Sequence, residues 1–344
     1  MEKILVIHTN GMGDFIMFTP ALKLLKEKFP NAKIDILITN KNIKTFLEDQ
    51  NLFNNIYVSE LKIISLLKLL LKLRRKYDLS FFTVGGKIWK AKVFSCLLNN
   101  RFMIGEAKKK SWKFPYNTII ERDETVHFVD ANIKLIELIL GKQNLDIIKP
   151  EIKIKDESKK NVEKFIEEKN LKNKIIFGIH PGCQKAYAAR RWPEEYFSEI
   201  INNLEKIPEI KCVVFLGPED KEVGDYLKKN TNAIFFENQS LNDVIALISK
   251  CKYFFNSDSG LGHIFTCFNE EIFSIFGPNQ LGENQELRTG PYSKKRIILK
   301  KYSSRKGYYL KKTEKGIYQC LVDLTPDIVF KTIVSELKNK NLGD

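Results

Sequence analysis

Short apolar runs alternating with helix-period stretches along 344 residues predict an α/β protein built from two Rossmann-like, doubly wound domains facing a central cleft. Two observations carry this reading. The alternation runs from the N-terminus to a polar segment, Gly141–Lys160, that contains Pro150, and then it restarts. Asp14, Gly85, His180 and Asp258 each fall just after an expected strand, where a doubly wound sheet opens its ligand crevice. The predicted domains are residues 1–150 and residues 151–344, the second ending in a C-terminal helix.

In the first half, the apolar run Lys3–His8 reads as a buried parallel strand. A glycine-rich loop, Thr9–Asp14, follows, and then a helix with Ala21, Leu22, Leu25 and Phe29 on one face; Thr19 before Pro20 marks either its start or a kink. Gly11 and Gly13 suggest a dinucleotide fingerprint, but Ile16 occupies the third glycine position. Strands are expected near Ile34–Ile38, Ile56–Val58, Leu79–Val84 and Phe102–Ile104. Helices are expected near Ile43–Glu48, Leu61–Lys76, Lys87–Leu98 and Phe128–Leu140.

The second half repeats the pattern. Strands are expected at Ile175–His180, Cys212–Leu216, Ala233–Phe236, Tyr253–Asn256 and Ile272–Phe276. The helices between them fall near Glu157–Lys169, Glu194–Leu204, Lys221–Lys228, Leu241–Ser249 and Leu261–Phe268, with a last one from Pro326 to about Lys338. In Phe254–His263 a strand, a tight polar turn and a helix start follow one another. Ser257, Asp258 and Ser259 are good N-caps, and Gly260 and Gly262 allow an anion to approach the backbone amides.

Composition narrows the function. No apolar stretch reaches the roughly 20 residues a membrane crossing needs, and the N-terminus lacks signal-peptide character, so a cytoplasmic protein is expected. The six cysteines are scattered without a C-x-x-C pair, and the four histidines match no zinc spacing. A formal charge of +15 predicts an anionic partner. No nucleic-acid-binding motif accompanies that charge, so nucleic acid is not the expected partner. The pair Arg190-Arg191 ahead of Trp192-Pro193 suits phosphate oxygens, while Glu219, Asp220 and Glu222 suit either ribose hydroxyls or a helix start.

Taken together, these segments resemble bacterial glycosyltransferase family 9, the ADP-heptose:lipopolysaccharide heptosyltransferases. The resemblance rests on Gly11-Met12-Gly13-Asp14 with Thr19-Pro20-Ala21-Leu22, and on His180-Pro181-Gly182 with Arg190-Arg191-Trp192-Pro193. It extends through Asp258-Ser259-Gly260-Leu261-Gly262-His263, Phe276-Gly277-Pro278-Asn279, Thr289-Gly290-Pro291-Tyr292 and Cys320–Pro326. Five positions in three segments depart from the family pattern: Arg190 for a lysine, Ser259 for a threonine, and Thr266-Cys267-Phe268 for small residues.

The resemblance implies a GT-B type architecture whose second half holds an ADP-sugar and whose first half presents an anionic glycolipid acceptor. It makes Asp14 the general base of an inverting transfer, with Arg190 beside the leaving group. Gly182, Arg191, Glu222, Asp258, Ser259, Gly260, Leu261 and His263 would contact the donor. Gly13, with Lys87 and Lys90 of a basic cluster in the first half that suits an acceptor bearing carboxylates and phosphates, is expected on the acceptor side. No metal or other cofactor is expected, since there is no D-x-D pair and cationic side chains are available for the diphosphate. A monomer, peripheral at the cytoplasmic face of the inner membrane, is the further expectation. Two other classes fit the same residues: a sugar-nucleotide binding protein without activity, and a different nucleotide-dependent α/β enzyme.

Overall fold

The computed structural model describes residues 1–59, 63–86, 88–108, 116–141, 149–183, 189–278, 285–301, 303, 307–308 and 311–338, without the side chains of residues 63 and 88–90. The chain forms two units, Met1–Lys153 with Leu287–Thr289, and Ile154–Glu286 with Gly290–Asp344.

The first unit contains β1 (Lys3–His8), β2 (Lys33–Ile38), β3 (Ile56–Val58), β4 (Leu79–Phe82), β5 (Phe102–Ala107) and β6 (Thr118–Glu121). They make a six-stranded sheet in the order β3-β2-β1-β4-β5-β6, every neighbour parallel. Parallel strands need crossovers, and α1 (Met12–Lys28), α2 (Lys44–Gln50), α3 (Ile63–Leu73) and α4 (Ile88–Leu98) supply those from β1 to β5, while α5 (Phe128–Leu140) follows β6 and packs on α1. The strands read as nearly unbroken apolar runs because both sheet faces are covered; Ile4, Leu5, Val6 and Ile7 are all buried.

The second unit begins with α6 (Asp156–Glu168). Its strands are β7 (Ile175–His180), β8 (Ile210–Leu216), β9 (Ile234–Glu237), β10 (Tyr253–Ser257), β11 (Ile272–Ile275) and β12 (Ile297–Leu299). The order is β12-β11-β10-β7-β8-β9, again parallel throughout. The helices are α7 (Glu194–Leu204), α8 (Lys221–Asn230), α9 (Leu241–Ile248), α10 (Gly260–Thr266), α11 (Gln285–Thr289), whose last three residues group with the first unit, α12 (Gln319–Val322) and α13 (Pro326–Lys338). Trp192 is buried in this core, edge-on to Tyr196, Phe197 and Phe255, and its indole N–H donates to the Leu324 carbonyl at 2.9 Å. The R-W-P and Cys320–Pro326 segments therefore meet as packing partners.

Doubly wound sheets place their crevice where the strand order reverses. That point lies between β1 and β4 in the first unit, and between β7 and β10 in the second.

Several expectations need correction. The first helix begins at Met12, eight residues before Pro20, so Gly13 and Asp14 belong to the helix and not to the preceding loop. Pro20 has no N–H to offer the Ile16 carbonyl four residues earlier. The Thr19 hydroxyl supplies the missing donor at 2.8 Å and accepts from the Glu151 amide at 3.1 Å, which explains how proline is tolerated inside α1. The edge strands β6 and β12 and the short helices α11 and α12 were not anticipated. The two edge strands are only four and three residues long, too short to show a period.

Candidate active site

In the first unit, the crevice at the β1/β4 switch point is organised by His8, the last residue of β1. Its Nε2 lies 3.0 Å from the Gly11 carbonyl and its Nδ1 lies 3.0 Å from the Thr83 hydroxyl. A carbonyl only accepts, so Nε2 carries the proton and the Thr83 hydroxyl donates to Nδ1. Burial pushes the His8 pKa down to about 4, against the pull of the Gly11 carbonyl, and the ring stays neutral. His8 thus pins the loop after β1 to the end of β4. Asn10 adds a second tie through a 3.3 Å bond from its amide to the Val84 carbonyl.

Gly85 follows with φ +90°, and a Cβ there would sit 2.3 Å from the Phe128 ring, so both conformation and space require glycine. Asp14 stands half-buried in the first turn of α1, where a negative charge suits the helix dipole. Gly11 is the N-cap and no side chain caps the helix. Gly13 lies beside Asp14. Lys87 falls outside the described residues; Lys90 lies in α4, with its side chain outside them.

The second unit builds a denser cluster at the β7/β10 switch point. His180 ends β7, its Nδ1 lies 2.8 Å from the Ser259 hydroxyl across that point, and its Nε2 faces Asp220 Oδ2 at 3.4 Å. Ser259 stands at the N-cap position of α10, but its hydroxyl serves His180 and the Asn256 amide (3.3 Å) instead of the helix. The expectation of a well-capped helix is corrected accordingly.

Asp220 is buried and accepts from the Gly217 amide at 2.8 Å. Burial opposes its charge, but the His180 ring, the Gly217 amide and Arg191 outweigh burial and hold its pKa below the ordinary value. Asp220 is thus committed inside the protein, unlike Glu219 and Glu222, which are exposed. A Cβ on Gly182 would lie 1.9 Å from Asp220 Oδ1, which explains the glycine of His180-Pro181-Gly182.

Arg190 and Arg191 have different surroundings. Arg191 donates through Nη2 to the Cys183 carbonyl (2.8 Å) and the Glu219 carbonyl (3.1 Å), clamping the loops after β7 and β8. Arg190 donates through Nη1 to Asp258 Oδ2 at 3.1 Å, and the Gln285 amide reaches the same oxygen at 3.3 Å. Burial raises the Asp258 pKa to about 6, against the pull of Arg190 and Gln285. Gly260 and Leu261 open α10, while His263 is buried one turn further on.

His180, Gly182, Arg190, Arg191, Asp258 and Ser259 therefore come together at one place. Sequence reading missed the internal role of Asp220 and gave no sign of Gln285 or Asn256. Asp220 had one available signal, its spacing after Gly217-Pro218, which suits a side-chain-closed turn.

Two parallel, doubly wound sheets in one chain define an α/β protein of the GT-B type. The fold is similar to that of Escherichia coli ADP-heptose lipopolysaccharide heptosyltransferase II, with a TM-score of 0.73, 21% identity, and 98% of this chain and 99% of that chain covered. It is also similar to the family 9 glycosyl transferase of Veillonella parvula, with a TM-score of 0.79, 22% identity and 98% of each chain covered. In sequence, lipooligosaccharide heptosyltransferase 2 of Haemophilus influenzae is 23% identical over 96% of this chain and 98% of its own. Residues 66–316 match the profile of glycosyltransferase family 9 (heptosyltransferase), and the chain belongs to that family. It is a glycosyltransferase.

Proposed function

We propose that this enzyme moves a heptose from ADP-heptose to the core of lipopolysaccharide or a related surface glycan, by a single inverting displacement that needs no metal. The observation that carries the reading is the cluster at the β7/β10 switch point. It falls on the residues that resemble the family's donor motifs, in a chain that belongs to the heptosyltransferase family. Relatives with full-length coverage are heptosyltransferases by name, which supports the choice of sugar and acceptor.

In this reading, Arg190 stabilises the charge that develops on the departing diphosphate, aided by the backbone amides of Ser259, Gly260 and Leu261. Asp258 orients Arg190 and meets donor hydroxyls, Glu222 meets the ribose, and Gly182 and His263 shape the donor pocket. Arg191 holds the loops that carry these groups and adds its charge to that of Arg190 toward the donor phosphates. Asp14 takes the proton of the acceptor hydroxyl as the glycosidic bond forms, with Gly13, Lys87 and Lys90 toward an anionic glycolipid. The enzyme works as a monomer at the cytoplasmic face of the inner membrane. Among the described residues, no helix is long and apolar enough to cross a membrane.

The test is ADP binding to Arg190→Ala by calorimetry. One charge-assisted contact to phosphate is worth about 1.5 to 3 kcal/mol, so affinity should fall roughly 10- to 150-fold while the protein stays folded. Unchanged ADP affinity removes Arg190 from the site.

A further inference from the structure

Helix α3 is apolar on two sides. Leu70 and Leu73 are buried and Leu66 and Leu69 pack on the same core, which accounts for one stripe at helical spacing. Ile64, Leu67 and Leu71 repeat that spacing on the outside and are 70%, 41% and 49% exposed. The neighbouring helix α4 adds Val93, 46% exposed. Single exposed leucines are ordinary, but a contiguous row of large apolar side chains is the mark of an interaction surface.

The charges beside the row identify what covers it. Lys68, Lys72, Arg74, Arg75 and Lys76 are all exposed, and no Asp or Glu occurs from Ile63 through Tyr77. A second copy of this helix would bring the same positive row against itself. A nucleic acid would match the cations and leave the leucines in water. An anionic lipid surface satisfies both: the leucines enter the acyl boundary, and the lysines and arginines reach the headgroup phosphates along their own apolar stems.

We infer that α3, with Val93 of α4, is a docking surface for anionic phospholipid bilayers and lies in the interface plane. This deepens the proposal of an acceptor at a membrane surface and rests on that proposal for its biological use, although lipid binding itself requires no sugar transfer.

Co-sedimentation of the full chain with vesicles tests it. The parent should sediment with phosphatidylglycerol-containing vesicles at 0.1 M salt, and at least ten-fold more weakly with phosphatidylcholine alone or at 0.5 M salt. Leu67→Ser/Leu71→Ser should cut binding at least ten-fold, as should Lys68→Glu/Lys72→Glu; all four positions are exposed, so circular dichroism and melting should be unchanged. Parent protein that ignores anionic vesicles, or double variants that bind as the parent does, overturns the inference. A Leu67→Ser/Leu71→Ser variant that changes only a monomer–dimer equilibrium assigns the surface to a second copy and also overturns it. Transfer to a detergent-dispersed acceptor at the parental rate, by a chain without vesicle affinity, would leave the transfer reading standing and sink this inference alone.

Discussion

Asp14 and Asp258 are two half-buried carboxylates in contrasting settings, one in the first turn of α1, the other paired with Arg190. Asp14→Asn preserves size, so folding should be intact and donor affinity unchanged, while turnover should drop roughly 10²- to 10⁴-fold, the contribution of a positioned base. Near-parental turnover in a variant that binds donor normally would leave Asp14 a helix-dipole residue and no more. The buried groups give pH signatures of opposite sign. The folded pKa of Asp258 is raised to about 6, so its contribution to stability is present in acid and lost as pH rises from about 4 through 6. For His8 the folded value falls to about 4, so its contribution is present above about 6.5 and lost as pH falls toward 4. Urea unfolding at several pH values should therefore show Asp258→Asn gaining on the parent as pH rises from 4 to 6.5, and the His8 ring should titrate near 4 by NMR. A His8 resonance titrating near 6.5 would contradict the buried, neutral ring that ties Gly11 to Thr83.

The Thr19-Pro20 pair shows why elements are harder to bound than to find. Read as a start or a kink, it proves to be an interior site whose proline leaves the Ile16 carbonyl to the Thr19 hydroxyl. Thr19→Val should cost about 1 to 3 kcal/mol, because it leaves buried hydrogen-bonding groups without partners. The cost should shrink in a Pro20→Ala background, where a backbone N–H returns; equal costs in the two backgrounds, by denaturant unfolding, would refute the compensation. Elements with a continuous apolar face were legible from sequence: α5 and α7 fall on Phe128–Leu140 and Glu194–Leu204 as expected. What escaped were β6 and β12, at sheet edges, which at four and three residues are too short to show a period. Asp220 illustrates the same limit for the site. Sequence shows a carboxylate at a helix start, three residues after Gly217, but only tertiary structure brings His180 and Arg191 onto it.

For the whole molecule, a charge of +15 and two parallel sheets, each with a crevice-forming strand reversal, suit an enzyme for anionic substrates. The glycine-rich and basic motifs were readable as phosphate chemistry before any fold was known. Their division of labour was not, since Arg190 and Arg191 are neighbours in sequence yet one pairs with Asp258 and the other clamps loop carbonyls. The proposed reaction is transfer of heptose from ADP-heptose by this chain's own cations and carboxylates. The most direct measurement is ADP release from ADP-heptose with and without a heptose-accepting lipopolysaccharide core, in excess EDTA. The account predicts acceptor-dependent ADP release at the same rate in EDTA as in magnesium, and inversion at the new anomeric centre. ADP release that requires magnesium or manganese, or a chain that binds ADP-heptose yet yields no acceptor-dependent ADP under any condition, would contradict it.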